Sequence, residues 1–284
     1  MTILRTKAAL RDALEPARRE GRTIGLVPTM GSLHDGHVSL LRAARGRCDV
    51  VVMSLFVNPA QFGPAEDLES YPRDEARDAE LAGQAGVDLI YAPPVEEVYP
   101  DGFATRVEVG GLTEVLEGAP DQRGPDHFRG VTTVVAKLLN TVAPDIAFFG
   151  QKDAQQAIVI ERMVRDLDFP VEVDVLPTVR EPDGLAMSSR NAYLSPEERR
   201  RAAALVRALR AAEAVAQSGE TRLRVALEAA RAELERAGIE PEYLEARQAE
   251  GLAPAESLNG RPVLVAVAAR VGRARLIDNL VIGG

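Results

Sequence analysis

The first two-thirds of the chain repeat one rhythm: a short apolar run, a polar or glycine-bearing turn, then apolar residues at helical spacing. Residues 5–19 put Leu10, Leu14 and Ala17 on one face and predict a helix. Ile24–Pro28 predicts a strand, 37–46 a helix, and the β-branched Val50–Val57 another strand. A charged helix is expected over 73–83, a strand at Val87–Tyr91 closed by Pro93-Pro94, and a short extra strand over 104–109. Then come a helix at Phe128–Val142, a strand at Ile146–Phe149, a helix at 153–166 and a strand at Val171–Leu176. Strands that are apolar throughout, rather than alternating, suit burial on both faces. The pattern therefore predicts an α/β domain with a parallel sheet covered by helices, spanning 1–178.

The rhythm changes after residue 178. Residues 196–217 and 221–237 are rich in Ala, Arg and Glu and predict helices separated by Ser218-Gly219. Tyr243–Arg247, Pro262–Arg270 and Arg275–Ile282 have strand character and lack crossover helices between them. That order predicts a smaller α+β domain at 179–284 with a short antiparallel sheet.

Composition narrows the partners. A net charge of −9 argues against broad nucleic-acid binding, which needs basic surface, yet leaves room for a local basic pocket. The run Arg199-Arg200-Arg201 lies beside Glu197 and Glu198 and suits a solvated helix face better than a nucleic-acid patch. A single cysteine, Cys48, rules out a disulfide framework within the chain and fits a reducing compartment. There is no apolar leader and no run long enough to span a bilayer, so a cytoplasmic protein without a membrane partner is expected.

Chemistry concentrates at strand ends, where parallel sheets bind ligands. The densest segment is Met30-Gly31-Ser32-Leu33-His34-Asp35-Gly36-His37, between a predicted strand and a predicted helix. Its glycines let backbone approach a ligand, and the helix N-terminus turns N–H groups toward an anion. His34 and His37 are three apart, so one helical turn sets both on one side. That pair suits chemistry at phosphorus. It also suits metal ligation, for which zinc would need a third ligand, and His127 is the remaining histidine.

Asn58 and Gln61 follow the strand at Val50–Val57; their amides suit a substrate with hydroxyl and carboxylate groups, or simply make an Asn-Pro turn with an exposed Gln. Gly150-Gln151-Lys152-Asp153 ends another strand: Lys152 either reaches phosphates or lies on the surface beside an Asp153 cap. The segment Arg180–Asn191 contains a turn at Pro182-Asp183-Gly184. It then gives Met187-Ser188-Ser189-Arg190, fit to fold over a triphosphate or to serve as a polar interdomain loop. The loops at 28–37, 58–71 and 150–156 are all expected to converge on one site. Gln122–Gly130 is a basic, glycine-rich loop leading into a helix.

Taken in order, Pro28-Thr-Met-Gly-x-Leu-His-x-Gly-His37, Phe56-Val-Asn-Pro-x-Gln-Phe62, Tyr71-Pro-Arg73, His127-Phe-x-Gly-Val131, Phe149-Gly-x-Lys-Asp-x-Gln-Gln156 and Pro177–Asn191 resemble the pantoate–β-alanine ligase family over nearly the whole chain. The His-x-Gly-His form is the mark of enzymes that open ATP between its α and β phosphates. The resemblance implies a Rossmann-like first domain, a mobile C-terminal lid and a homodimer. It implies ATP-dependent joining of pantoate and β-alanine through pantoyl adenylate, with AMP and pyrophosphate released. It implies that His34 and His37 bond phosphate oxygens, His37 as proton donor, and that Lys152, Ser188, Ser189 and Arg190 hold phosphates. Met30 to His37, Gly150, Gln151, Asp153, Val179 and Met187 would line the nucleotide pocket, and Gln61 and Gln156 would hold pantoate, with Gln61 also near β-alanine and Asn58 beside them. Magnesium is expected on the triphosphate, with Asp78 as candidate ligand. The chain departs from the family at Arg123-Gly-Pro-Asp-His127, where Gly124 takes the slot of an arginine and Arg123 lies one residue further out. Two other classes share parts of this pattern: a nucleotidyltransferase using ATP or CTP and a phosphate acceptor, and a non-catalytic ATP- or metal-binding regulator.

Overall fold

The computed structural model describes residues 1–63, 68 and 71–283. The chain divides into two compact units, Met1–Gly150 with Val159–Leu176, and Gln151–Ile158 with Pro177–Gly284.

The first unit is a six-stranded parallel sheet with helices. In chain order it runs β1 (Thr2–Leu4), α1 (Lys7–Arg19), β2 (Ile24–Thr29), α2 (Asp35–Arg47), β3 (Val50–Leu55), α3 (Glu75–Gln84), β4 (Leu89–Tyr91), α4 (Val95–Val98), α5 (Pro125–Val142), β5 (Ile146–Gly150), α6 (Ala154–Asp166) and β6 (Glu172–Leu176). Helix α6 gives its residues from Val159 onward to this unit. The strand order is β1-β4-β3-β2-β5-β6, all pairs parallel. Alternation explains the two-sided burial. Leu26, Val52 and Ala147 face a core with Leu10, Leu14 and Val135, while Val27, Met53 and Phe148 face one with Leu41, Ala82 and Ile90. Order reverses between β2 and β5, the switch point at which such sheets expose ligand sites beyond their carboxyl ends.

Local signals set the helices. Thr6 caps α1 by accepting from Ala9, and Asp74 caps α3 by accepting from Arg77. Pro125 opens α5, which closes on Ala143 in the left-handed region, φ 41°. The strand expected over 104–109 is absent. Val107 bonds instead to threonine side chains of α5: its N–H donates to Thr133 Oγ1 at 3.0 Å and its carbonyl accepts from Thr132 Oγ1 at 2.6 Å. β1 had no expectation; three residues are too few to carry a rhythm.

The second unit contains α7 (Pro196–Ala202), α8 (Ala204–Gln217), α9 (Leu223–Arg236) and the antiparallel sheet β7 (Pro241–Gln248), β8 (Val263–Val271), β9 (Ala274–Ile282), in spatial order β7-β8-β9. Small residues let α8 and α9 pack tightly: Ala204, Ala208 and Ala212 are fully buried, as are Ala226 and Ala230. The helix expected over 196–217 breaks at Ala203, whose ψ of −9° turns the chain; its residue identity gives no warning. Among the described residues no helix is long and apolar enough to cross a membrane.

Candidate active site

In the first unit the turn from β2 into α2 is held from outside. Gly31 has φ +89°, and a Cβ there would meet Asp78 Oδ2 at 2.8 Å and Leu55 Cδ1 at 2.9 Å, so only glycine fits. Ser32 follows at φ +53°, a left-handed position rare for a residue with a side chain. Asp78, 1% exposed, secures both: its carboxylate accepts from Ser32 N–H and Leu33 N–H, each at 2.8 Å. Asp78 was expected as a magnesium ligand. In this structure each of its oxygens accepts a backbone N–H of the loop.

The brace delivers His34 to the N-cap of α2. His34 Nδ1 accepts from Gly36 N–H at 3.1 Å, and His37 Nδ1 accepts from His34 N–H at 3.3 Å, a reciprocal cap in which histidines do the work usual for Ser and Glu. The ring centroids lie 4.1 Å apart. With each Nδ1 an acceptor, each neutral ring carries its proton on Nε2. Both imidazoles are therefore donors at Nε2 beside a helix N-terminus. The metal alternative is weakened by the same bonds, and His127 is occupied elsewhere. No group of three His, Cys, Asp or Glu able to hold a metal exists among the described residues.

Gln61 comes to the same turn. Its Nε2 lies 3.1 Å from Met30 Sδ, so the loops after β2 and β3 meet. Gln61 ends a 3₁₀ turn, Pro59–Gln61, packed on α5. Gly130 makes that packing possible: a Cβ there would stand 2.2 Å from the Ala60 carbonyl oxygen and 2.7 Å from Gln61 Cα. His127 donates from Nδ1 to the Gln61 carbonyl at 2.7 Å, which leaves Nε2 to accept from Arg123 at 3.1 Å. Arg123 thus reaches the same helix end despite its displaced position in the sequence.

Asn58 was expected among the substrate-binding amides, and the structure places it beside Gln61. It is 1% exposed, and its hydrogen-bonding capacity is used inside the protein. Nδ2 donates to Gly130 O and to Gln61 Oε1, both at 3.1 Å; Oδ1 accepts from Ala60 N–H at 3.2 Å and from Tyr99 Oη at 2.8 Å. Asn58 thus bonds the side chain of Gln61 directly. Burial pushes the Tyr99 phenol up to about 12, so it remains a donor to Asn58. Sequence reasoning missed Tyr99, which sits in α4's closing turn with no chemical motif around it.

In the second unit Gln151–Asp153 form a 3₁₀ turn. Lys152 lies 3.5 Å from Asp153 Oδ1 with its side chain 19% exposed, and Gln156 is half-buried in the first turn of α6. Val179–Met187 folds as a hairpin: Arg180 bridges Ala186, and Met187 N–H donates to Val179 O at 3.0 Å. Its tip is the expected turn, with Gly184 N–H on Glu181 O at 2.8 Å. Ser188 then caps a 3₁₀ turn, Ser189–Tyr193, accepting from Arg190 N–H at 3.3 Å, so both serines and Arg190 lie together and half-buried. Asn191 braces this loop through Glu181 at 2.8 Å and Ala186 O at 3.0 Å. Residues 64–67, 69 and 70 of the loop expected at 58–71 lie outside the described residues.

A parallel sheet with its strand order reversed beside a doubly capped histidine turn defines an α/β ligand-binding class in which chemistry sits at the strand ends. The chain belongs to the pantoate–beta-alanine ligase family, whose model matches residues 2–281. It is 56% identical over 283 residues to the pantothenate synthetase of Moorella thermoacetica, covering 99% of each chain. It also resembles the crystal structure of pantothenate synthetase from Thermus thermophilus, with TM-score 0.92, 51% identity and 99% of both chains covered. A pantoate–beta-alanine ligase from Francisella tularensis, complexed with beta-gamma ATP and beta-alanine, aligns at TM-score 0.80 and 32% identity over 99% of this chain and 97% of that one.

Proposed function

We propose that this chain joins (R)-pantoate to β-alanine through pantoyl adenylate. The observation that carries the proposal is the pair of imidazoles whose Nε2–H groups stand at the start of α2. A pantoate carboxylate oxygen attacks the α-phosphorus of ATP, the bond to the β-phosphate oxygen breaks, and pyrophosphate leaves with the electron pair. The amine of β-alanine then attacks the acyl carbon, the bond to AMP breaks, and the nitrogen gives up a proton. Catalysis of the first step is positioning and charge stabilisation at phosphorus. His34 and His37 donate to phosphate oxygens as charge builds, with His37 the proton donor.

In this scheme the backbone from Met30 to His37, with Gly150, Gln151, Asp153, Val179 and Met187, lines the nucleotide pocket, Lys152, Ser188, Ser189 and Arg190 hold phosphates, and Gln61 and Gln156 hold pantoate. On this reading residues 1–178 bind substrates and 179–284 act as a lid. Magnesium would be carried mainly by phosphate oxygens; Asp78 fits it poorly, since its oxygens accept backbone N–H groups. The same reading makes the protein a cytoplasmic homodimer.

Isotope exchange between pyrophosphate and ATP tests the route. Exchange should require pantoate and not β-alanine, while net AMP formation over many turnovers should require all three substrates. Exchange without pantoate, or a dinucleotide-like product, would refute it. Lys152→Ala should slow adenylation more than condensation from supplied pantoyl adenylate; equal loss in both would remove Lys152 from phosphate binding.

A further inference from the structure

The second unit contains a buried polar pair that the reaction scheme leaves unused. Asp278 and Asn279 are adjacent in β9, 3% and 5% exposed, between Leu276-Ile277 and Leu280-Val281. Neighbours in a strand point to opposite faces, so the two side chains serve different segments. Asp278 takes the guanidinium of Arg180 with both oxygens, at 2.7 and 3.0 Å. Arg180 also donates to Gly184 O at 3.1 Å and pairs its backbone with Ala186. Asp278 therefore anchors the base of the hairpin that leads into Ser188-Ser189-Arg190. Asn279 faces the other segment. Its Nδ2 donates to Gln151 O and to Lys152 O, both at 2.9 Å, and its Oδ1 accepts from Gln151 Nε2 at 3.1 Å.

Stability alone is a weak account of such a pair. Well-packed apolar residues commonly replace a buried ion pair at no cost, whereas breaking one partner is expensive. What polar groups add is a fixed direction. Here they fix the backbone of Lys152 itself and the root of the Ser188–Arg190 loop from one strand.

We propose that Asp278 and Asn279 are positioning residues that hold the Lys152 turn and the Ser188–Arg190 loop in one geometry, so that both phosphate-binding segments meet the triphosphate together. This rests on the reading given under Proposed function.

The test uses the full chain. Asn279→Ala should raise the ATP KM or lower pantoate-dependent pyrophosphate exchange at least about tenfold, the scale of one or two lost hydrogen bonds. Condensation from supplied pantoyl adenylate should change less than about twofold. Asn279→Asp keeps the shape but loses both donors and should match it. In a Lys152→Ala background the Asn279→Ala effect should largely vanish, because the two act as one. If the Asn279 variants do not fold, Arg180→Lys, which keeps the charge but loses the two-pronged contact with Asp278, should shift the same ratio about threefold. Equal loss in both steps with an unchanged ATP KM, or full additivity with Lys152→Ala, would overturn the proposal. Wild-type protein without pantoate-dependent exchange would remove the underlying reading; wild-type exchange with unaltered variants would remove this proposal alone.

Discussion

Gly130→Ala sets two effects against each other, and the structure decides between them. Alanine is the better helix former, worth about 1 kcal/mol over glycine inside a helix such as α5. The new Cβ, however, would stand 2.2 Å from the Ala60 carbonyl oxygen and 2.5 Å from its carbon, where ordinary contact begins at 3.4 Å. Both neighbours are backbone, so α5 and the turn at Pro59–Gln61 must part by about 1 Å in a close-packed interior. Overpacking of this kind costs about 1–3 kcal/mol, and loss of the Asn58-to-Gly130 hydrogen bond adds about 1. The net is a destabilisation of about 2 kcal/mol, or about 30-fold in the folded-to-unfolded ratio. The displaced turn carries Gln61, so the pantoate KM should rise more than turnover falls. Urea unfolding gives the first number and initial rates against pantoate the second. A variant as stable as wild type with an unchanged pantoate KM would refute the argument that this close approach places Gln61.

Other perturbations read other parts of the site. His37→Ala should lower turnover at least about 100-fold, the scale of a lost acid–base group; a near-normal rate would remove His37 from the mechanism. Asp78→Asn turns one of two acceptors into a donor facing an N–H and should cost about 2–4 kcal/mol in denaturant unfolding; an unchanged midpoint would show that the brace is dispensable. Glu181 is pushed up by burial, but hydrogen bonds from Arg199 and Asn191 outweigh this and hold it below its ordinary 4.5. A lowered folded value means stability present above about 4.5 and lost as pH falls through the folded value. Glu181→Gln should flatten that part of the stability–pH curve; an unchanged acid limb would contradict the assignment.

The sheet was legible because β2, β3 and β5 are apolar on both faces, and the histidine turn because its residues are consecutive. The protein partners of Asp78 and Asn58 were not legible, because a polar residue near a motif looks the same whether it faces inward or outward. Those partners, Ser32 and Leu33 for one and Gly130 and Tyr99 for the other, come from distant segments. The pair Asp278-Asn279 did leave a trace: two polar residues interrupt an apolar strand, and burial there demands partners. The 104–109 segment misled because Val107 and Val109 imitate a strand while bonding or packing against other elements.

The histidine cap has a consequence for anyone who evolves this protein in the laboratory. Reactive groups elsewhere often sit in strained, costly places, but here the imidazoles help to finish a helix. Aspartate, serine and asparagine are the favoured residues at that position. A library heated and sorted only for survivors would therefore welcome His34→Asp; on the proposed reading those sturdier molecules would lack an Nε2 donor to phosphate, so selection must ask for product at every round.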